Sequence, residues 1–256
     1  MTEFFKYHGT GNDFIMIDNR QSKVSLSTQE IEQACHRRFG VGADGLIMIE
    51  NAVGYDFRMK YYNSDGREGS MCGNGGRCAV QFASDLGIFE EKTTFIAVDG
   101  PHDSAIHDGL VSLKMIDVSI ITDEEEGYFL NTGSPHLIVF VENIEKIDVK
   151  TVGSAIRYSE KWIARGGVNV NFTEISNPDQ IKVRTYERGV EDETYSCGTG
   201  VTAAAIVSHF VKSTSEIVNI NTLGGQLKVS FNKSNLSDFS NIHLIGPAKF
   251  VFKGYL

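Results

Sequence analysis

Two short segments, one in each half of the chain, place a cysteine directly before a Gly-x-Gly turn. The first is Cys72-Gly73-Asn74-Gly75 and the second is Cys197-Gly198-Thr199-Gly200, and each precedes a run of residues typical of a helix. At a helix N-terminus, unpaired backbone N–H groups and the helix dipole stabilise a thiolate and bind anions. One such thiol can act as a nucleophile or a base. Two that face each other suggest chemistry on both sides of one carbon atom.

The glycine-rich turns do not by themselves indicate a nucleotide site. The segment Gly198-Thr199-Gly200-Val201-Thr202-Ala203 matches the relaxed dinucleotide fingerprint, but polar residues precede it where that fingerprint needs a buried strand. The next predicted strand, Ile217–Ile220, is followed by Asn221 rather than by an acidic residue. A P-loop is excluded because no Gly-Lys-Ser/Thr follows either turn. The sequence therefore predicts no nucleotide cofactor.

The remaining cysteines have a different setting. Cys35 lies in a predicted amphipathic helix, and Cys78 lies six residues after Cys72 in the helical run, so both are predicted to be small core residues. No Cys-x-x-Cys or Cys-x-x-His pair is present, which argues against a metal site. Four cysteines are too few for a disulfide framework in a chain of this length, and we expect thiols.

The elements that must position the two cysteine segments are many short strands with a helix among them in each half. Ser27 is a predicted helix N-cap with Glu30 completing a capping box, and this helix is predicted to end near Arg38. Predicted strands are Phe4–Tyr7, Phe14–Ile17, Leu46–Glu50, Phe57–Tyr62, Thr94–Val98, Leu110–Met115, Tyr128–Leu130, Leu137–Val141, Val168–Ile175, Ile181–Tyr186, Ile217–Ile220, Leu227–Phe231 and His243–Ile245. The cysteine segments are about half the chain apart, which predicts a duplicated domain with a boundary near Met115.

Composition excludes several functional classes. The chain has 256 residues and a formal net charge of -9, and no basic patch that would bind a polyanion is evident, so we predict no nucleic-acid partner. No apolar run is long enough to span a bilayer, and the N-terminal segment is strand-like rather than a leader peptide. We therefore expect a soluble, cytoplasmic protein that does not bind a membrane.

Several separated segments carry a family resemblance. They are His8-Gly9-Thr10-Gly11-Asn12-Asp13-Phe14, Gly40-Val41-Gly42-Ala43-Asp44-Gly45, Asn63-Ser64-Asp65-Gly66, Cys72-Gly73-Asn74-Gly75-Gly76-Arg77-Cys78, Val168-Asn169, Tyr186-Glu187-Arg188-Gly189 and Cys197-Gly198-Thr199-Gly200. On these segments the chain resembles the diaminopimelate epimerases over nearly its whole length. It departs from the family at Ser134, where many members have Asn, and at Gly45, where some members carry Gln.

The resemblance implies inversion of an amino-acid α-carbon without metal or organic cofactor. Without an electron sink, the protein itself must stabilise the carbanion, and two thiols can serve, one as thiolate base and one as thiol acid. These are Cys72 and Cys197. By the same resemblance, His136 and Glu187 assist proton transfer at the two thiols. Backbone N–H groups of the two cysteine turns are expected to hold the α-carboxylate, namely those of Gly73, Asn74, Gly198 and Thr199.

The resemblance also implies a clamp for the end of the substrate that does not react. Arg188 offers a planar fork for the distal carboxylate. Asn12, Asn63 and Asn169 offer amide groups for the distal ammonium and carboxylate. The implied substrates are LL-2,6-diaminopimelate and meso-2,6-diaminopimelate, interconverted in lysine biosynthesis.

The fold implied by the resemblance is α+β, with two similar lobes, each a curved mixed β-sheet wrapped around a central helix, and an active site in the cleft between them. The first lobe is predicted to span residues 1–115 and to be completed by 248–256, and the second to span 116–247. A homodimer is expected on the resemblance alone.

Three alternatives remain. The proline and hydroxyproline racemases share this architecture and the two-thiol logic, whereas the phenazine-pathway isomerases share the architecture without the cysteine pair. The segments at His8–Phe14 and Tyr186–Gly189 favour diaminopimelate over both. A thiol redox switch without turnover is a third alternative, but it leaves the arginine and asparagine set unexplained.

Overall fold

The computed structural model describes residues 1–69, 71–235 and 237–256. The strands are β1 (Glu3–Gly9), β2 (Asn12–Asp18), β3 (Gly45–Ala52), β4 (Tyr55–Asn63), β5 (Lys92–Ala97), β6 (Gly100–His107), β7 (Leu110–Lys114), β8 (Ile121–Glu124), β9 (Gly127–Asn131), β10 (Pro135–Phe140), β11 (Asn169–Asn177), β12 (Gln180–Glu187), β13 (Asp192–Thr194), β14 (Ile217–Thr222), β15 (Gly225–Lys233), β16 (Phe239–Gly246) and β17 (Lys249–Tyr255). The α-helices are α1 (Thr28–Cys35), α2 (Gly73–Asp85), α3 (Val149–Arg157), α4 (Glu160–Ala164) and α5 (Gly198–Lys212). None of the helices in the described part of the chain is both long and apolar enough to cross a membrane.

The chain divides into two compact units. The N-terminal unit comprises Met1–Leu113 and Gly246–Leu256, and the C-terminal unit comprises Lys114–Ile245. In the N-terminal unit β17 pairs antiparallel with β1, so the last strand of the chain completes the sheet formed by the first. The α+β architecture with two similar lobes, predicted above, is confirmed.

The same order of strand pairings occurs in both units. In the N-terminal unit β1–β2 is antiparallel, β2–β3 parallel, β3–β4 antiparallel, β4–β5 parallel and β5–β6 antiparallel. In the C-terminal unit β9–β10, β10–β11, β11–β12, β12–β14 and β14–β15 repeat this order. Parallel neighbours need a crossover, and in each unit helices form both crossovers. This repetition is the structural counterpart of the repeated cysteine segment.

Each unit encloses one helix within its sheet. Helix α2 contacts β1, β2, β3, β4, β6 and β17, and α5 contacts β9, β10, β11, β12, β14 and β15. In α5 every residue from Val201 to Ser208 is buried, which suits its run of small and apolar side chains. Outer helices cover the opposite face of each sheet: α1 packs through Ile31 and Cys35 in the N-terminal unit, and α4 packs through Trp162 in the C-terminal unit.

Local signals account for the boundaries of α1. The capping box is present, because Ser27 accepts from the Glu30 backbone N–H and the Glu30 carboxylate accepts from the Ser27 backbone N–H. The helix ends at Cys35 rather than near Arg38, since His36 is extended. The segment after it is held by backbone bonds instead, including Gly42 N–H to the Ala34 carbonyl at 3.1 Å.

We predict that Ala204→Leu, at a fully buried position in α5, lowers the free energy of unfolding by about 1–3 kcal/mol through overpacking. Urea unfolding followed by the fluorescence of Trp162, the single tryptophan, reports on the same unit. The matched variant Ala164→Leu lies at an exposed helix end and should change stability by less than about 0.5 kcal/mol. Equal effects of the two variants would mean that α5 is not tightly enclosed.

Candidate active site

Cys72 occupies the N-cap of α2. Its backbone is extended, with φ -111° and ψ 130°, and its carbonyl accepts from the Gly76 N–H at 2.7 Å, the first bond of the helix. The side chain is half-buried and does not cap the helix. Since the first N–H groups of a helix have no acceptor within it, the thiol lies beside a region of positive potential at the turn formed by Gly73 and Asn74.

The ends of three neighbouring strands meet at this end of α2. Asn12 begins β2, Gly45 begins β3 and Asn63 ends β4, and register pairs Gly45 with both Phe14 and Asn63. A Cβ at Gly45 would lie 2.5 Å from the Tyr62 carbonyl and 2.6 Å from the Tyr61 ring. With the packing of this chain, Gly45 therefore leaves no room for a side chain.

Asn12 links the thiol to the helix. Cys72 Sγ lies 3.7 Å from Asn12 Oδ1 as donor, and Asn74 Nδ2 lies 3.5 Å from the same oxygen. Three residues predicted for the site, from two separate motifs, are thus brought together. Asn63 is exposed at its strand end, in a turn closed by the Gly66 N–H to the Asn63 carbonyl at 2.9 Å.

Two residues outside the predicted set fix the direction of these amide contacts. The Asp44 carboxylate accepts from Asn12 Nδ2 at 2.6 Å, and Arg77 Nη2 donates to Asn74 Oδ1 at 2.9 Å. A carboxylate only accepts and a guanidinium only donates, so neither amide can be turned over without losing a bond. Asn12 is therefore held with its oxygen towards Cys72. A contact of this polarity suits the neutral thiol.

Arg77 is fully buried, and its partners are neutral oxygens. Beside Asn74, it donates to Thr10 Oγ1 at 3.1 Å and lies 3.4 Å from the Gly73 carbonyl. Burial lowers the pKa of Arg77 to about 10, which leaves the guanidinium charged at neutral pH. The sequence contained Arg77 in the cysteine motif, but only the structure shows which atoms it orients.

A charged cluster holds Asp44 in place. Arg37 contacts Asp44 at 2.5 Å and Asp13 at 2.8 Å, and Lys6 contacts Asp13 at 2.8 Å. Burial raises the pKa of Asp13, but hydrogen bonds from Arg37 and Lys6 outweigh it and bring this pKa to about 2. Asp13 and Asp44, the acidic residues of two sequence motifs, thus anchor the series of hydrogen bonds that runs through Asn12 to Cys72.

Cys197 occupies the matching position in the C-terminal unit. It is the N-cap of α5, with φ -111° and ψ 112°, and its carbonyl accepts from the Val201 N–H at 2.9 Å. The side chain does not cap the helix, and its sulfur lies 3.5 Å from Thr199 Oγ1. As in the N-terminal unit, predicted site residues lie at strand ends. His136 and Asn169 lie at the starts of β10 and β11 and are register partners, and Glu187 is the last residue of β12.

His136 is connected to Cys197 through Thr199. The imidazole is completely buried, with Nε2 2.9 Å from Thr199 Oγ1 and Nδ1 3.1 Å from Asn171 Nδ2. Burial, with a smaller contribution from the positive charge of Arg188, lowers the pKa of His136 to about 3. The imidazole is therefore neutral at physiological pH. Asn171 was not predicted, because a lone Asn inside a strand carries no sequence signal.

Asn169 braces two loops of the C-terminal unit. Its Nδ2 donates to Ser134 Oγ at 2.9 Å and to the Pro135 carbonyl at 2.8 Å, while its Oδ1 accepts from the Arg188 backbone N–H at 2.9 Å. The Arg188 side chain is exposed, and one of its terminal nitrogens donates to the Gly166 carbonyl at 3.0 Å. Glu187 accepts from the Thr194 hydroxyl at 2.9 Å.

The other two cysteines are core residues, as predicted. Cys35 is 3% exposed and Cys78 is completely buried. Burial raises the pKa of Cys35 to about 11 and that of Cys78 to about 12. Both therefore remain thiols at neutral pH, which makes them natural controls for the two N-cap cysteines.

Comparisons with known proteins agree on one family. The family model described as diaminopimelate epimerase matches residues 4–108 and 128–251. A diaminopimelate epimerase from Flavobacterium psychrophilum is 52% identical over 98% of this chain and 98% of that protein. The Chlorobaculum tepidum enzyme of the same name is 44% identical, over 96% of this chain and 98% of its own length.

Solved structures show the same fold at much lower identity. A phenazine biosynthesis protein from Bacillus anthracis superposes with a TM-score of 0.78 at 15% identity, covering 100% of this chain and 98% of that one. A probable proline racemase from Agrobacterium radiobacter superposes with a TM-score of 0.69 at 12% identity, covering 100% of this chain and 93% of the other.

We predict that Asp13→Asn lowers the free energy of unfolding by about 1–2 kcal/mol at neutral pH, allowing for solvent screening of the ion pairs. The folded pKa of Asp13, about 2, lies below the unfolded value of about 3.9, so this contribution is present above pH 4 and lost as pH falls towards 2. Urea unfolding followed by circular dichroism should show the gap between wild type and variant closing over that range. The exposed control Asp65→Asn should change stability by less than about 0.5 kcal/mol, and a gap unchanged down to pH 2 would contradict the prediction.

Proposed function

This chain belongs to the diaminopimelate epimerase family, and on that premise we propose that it interconverts LL-2,6-diaminopimelate and meso-2,6-diaminopimelate by proton transfer at one α-carbon. The protein is an isomerase that acts in lysine biosynthesis. The observation that carries the assignment of its catalytic groups is the repeated placement of a cysteine at the N-cap of an enclosed helix, at Cys72 and Cys197.

Inversion at an α-carbon needs an acid and a base on opposite faces. Cys72 and Cys197 fill these two roles and exchange them with the direction of reaction, one removing the α-proton as thiolate while the other delivers a proton as thiol. An ordinary thiol has a pKa of about 8.5, so a moderate fall at a helix N-terminus brings it close to the working pH. The two thiols need no sulfur–carbon bond to do this, and the substrate leaves with one proton replaced.

The first turns of α2 and α5 bind the α-carboxylate. Backbone N–H groups of Gly73, Asn74, Gly198 and Thr199 point out of the helix ends, where anions are bound. Negative charge that moves onto the carboxylate as the α-proton leaves is stabilised by the same groups. This replaces the electron sink that a cofactor provides in other amino-acid racemases, and the reaction proceeds with neither metal nor organic cofactor.

His136 and Glu187 support the proton transfers. His136 is neutral and hydrogen-bonded to the Thr199 hydroxyl that neighbours Cys197. A neutral imidazole here acts as a hydrogen-bond donor rather than as a charged acid. Glu187, at the end of β12, accepts from the Thr194 hydroxyl, and a carboxylate can accept several hydrogen bonds.

The distal end of the substrate is held by polar side chains at the strand ends. Arg188 and Asn63 are exposed and able to reach a ligand, and Arg188 pairs with the distal carboxylate. Asn12 and Asn169 already hold protein partners. Asn169 Oδ1 accepts from the Arg188 N–H and has a second lone pair for an ammonium group. Asn12 Oδ1 accepts from both Cys72 and Asn74, so an ammonium group would replace one of these two donors.

The enzyme acts as a cytoplasmic homodimer on a small amino-acid substrate, without nucleic-acid or membrane partners. The strand β17 supports self-association, because Phe250, Val251 and Phe252 each expose about half of their surface on the last strand of the N-terminal unit's sheet. Light scattering coupled to gel filtration measures the mass directly.

Measuring the interconversion of LL- and meso-diaminopimelate by the purified protein tests the function. Turnover of proline or hydroxyproline with no turnover of diaminopimelate would favour the related racemases. Absence of turnover with any of these, together with reversible thiol oxidation, would favour the redox switch.

Replacing either N-cap cysteine should abolish epimerisation. We predict that Cys72→Ala and Cys197→Ala each lower kcat by at least about 1,000-fold, because each removes one of two obligatory proton-transfer groups. Chromatographic separation of the diaminopimelate stereoisomers measures the rate. Cys35→Ala and Cys78→Ala remove thiols that stay protonated and should mainly reduce stability. Full activity of either N-cap variant would exclude the two-thiol mechanism.

Isotope incorporation should distinguish two bases from one. In deuterated water at early times, the product should carry deuterium while recovered substrate stays largely protiated, because the thiol that removes the substrate proton does not return a solvent deuteron to the same face. Mass spectrometry of the separated stereoisomers gives both values. Rapid appearance of label in unreacted substrate would show that one base serves both directions.

A further inference from the structure

Asn171 is completely buried on β11, two residues after Asn169, and none of the roles above uses it. Its Nδ2 lies 3.2 Å from the Leu137 carbonyl and 3.3 Å from the Asn169 carbonyl, and its Oδ1 accepts from Thr185 Oγ1 at 2.9 Å. Carbonyl oxygens only accept, so the amide nitrogen must face them. The orientation of the Asn171 amide is thereby fixed by the sheet itself.

The fixed amide selects the tautomer of His136. Asn171 Nδ2 also lies 3.1 Å from His136 Nδ1, so its two hydrogens are shared among this nitrogen and the two carbonyls. Because Nδ2 can donate but cannot accept, Nδ1 is the acceptor in this contact. In a neutral imidazole the proton then resides on Nε2. Burial of His136, which lowers its pKa to about 3, keeps this neutral form present at working pH. A protonated ring would place N–H against N–H at Asn171.

The tautomer in turn directs the hydroxyl of Thr199. His136 Nε2–H donates to Thr199 Oγ1 at 2.9 Å, and a hydroxyl has one proton of its own to give. Within the described part of the chain, the other polar neighbour of this oxygen is Cys197 Sγ at 3.5 Å. The hydroxyl proton is therefore directed at the sulfur.

Close packing supports this arrangement. A Cβ at Gly200 would lie 2.3 Å from Asn171 Oδ1, so Asn171 lies directly against the first turn of α5. Glycine at this position makes room for the amide. The second glycine of the Cys-Gly-x-Gly segment therefore leaves space for the Asn171 amide, in addition to forming the helix turn.

We propose that Asn171 is a positioning residue that acts through His136 and Thr199 to present a hydroxyl donor to the Cys197 thiolate. The hydrogen bonds run in one direction, from Asn171 to His136, from His136 to Thr199 and from Thr199 to Cys197. This proposal deepens the proposed function and rests on it for the catalytic role of Cys197.

The polarity at Cys197 is opposite to that at Cys72. The chain in the C-terminal unit ends in a donor, which stabilises a thiolate, whereas the Asn12 oxygen at Cys72 is an acceptor, which suits a thiol. An enzyme that needs one base and one acid in each turnover begins with such a pair. The Thr199 hydroxyl therefore favours the thiolate form of Cys197, and the Asn12 oxygen favours the thiol form of Cys72.

The first arm of the test compares alkylation of the two N-cap cysteines in one sample. Iodoacetamide modification at pH 7.5 is followed by peptide mass spectrometry, with Cys72 as internal reference. Thr199→Val should slow modification of Cys197 about tenfold relative to Cys72, because a hydrogen bond to the thiolate is lost. Thr199→Ser should restore the rate. Thr202→Val, the same change at a buried hydroxyl that donates to the Gly198 carbonyl, should leave it unchanged.

The second arm reads the tautomer directly. In protein labelled with ¹⁵N-histidine, the nitrogen shifts of His136 should show a neutral ring protonated on Nε2. Asn171→Asp places an acceptor at Nδ1, which should move the proton to Nδ1 and slow Cys197 alkylation as Thr199→Val does. Because this carboxylate also faces two backbone carbonyls, the variant could fail to fold, and the wild-type shifts and Thr199 variants then decide.

A wild-type His136 protonated on Nδ1, or an unchanged alkylation rate in Thr199→Val, would overturn the proposal. Neither measurement requires turnover. Normal tautomer and alkylation results in a protein without epimerase activity would therefore refute the proposed function alone, whereas an active epimerase with the wrong tautomer would refute only the hydrogen-bond chain.

Discussion

Enclosure of one helix within each sheet is the constraint on which the site depends. A helix that is covered on several sides cannot shift along or rotate about its axis without disturbing many contacts, so its N-cap residue is held at a defined place. In α5 the buried run from Val201 to Ser208 consists of small and branched side chains that fit this space. The thiols of Cys72 and Cys197 are therefore held by the packing of the two cores, and their positions are better defined than those of side chains on a surface loop.

Burial of polar groups then determines whether a hydrogen-bond donor or an acceptor faces each thiol. A buried amide that loses a partner is costly, so chains of amides settle into the one orientation that satisfies every member. At Cys72 the orientation is set by Asp44 and Arg77, which accept only and donate only. At Cys197 it is set by two backbone carbonyls acting on Asn171. Charged side chains therefore fix the amide orientations near Cys72, and backbone carbonyls of the sheet fix the amide orientation near Cys197.

The duplicated fold carries different polar groups at corresponding places, and this difference suits a two-base enzyme. Both units show the same order of strand pairings, and each begins its enclosed helix with Cys-Gly-x-Gly. Yet β4 ends on Asn63 whereas β12 ends on Glu187, and the imidazole of His136 belongs to one unit. A probable proline racemase and a phenazine biosynthesis protein share this scaffold at identities of 12% and 15%, so the scaffold by itself does not specify a reaction.

The sequence by itself determined what short-range patterns encode: the family, the cysteine pair, the capping box at Ser27 and most strands to within a few residues. It missed β6, where exposed polar residues and a proline hide the alternation. It also missed the short strands β8 and β13 and the helices α3 and α4. Only the tertiary structure decided the roles of Arg77 and Asn171. The direction of a hydrogen bond depends on which donors and acceptors surround an amide, and those atoms come from strands and helices that are distant along the chain.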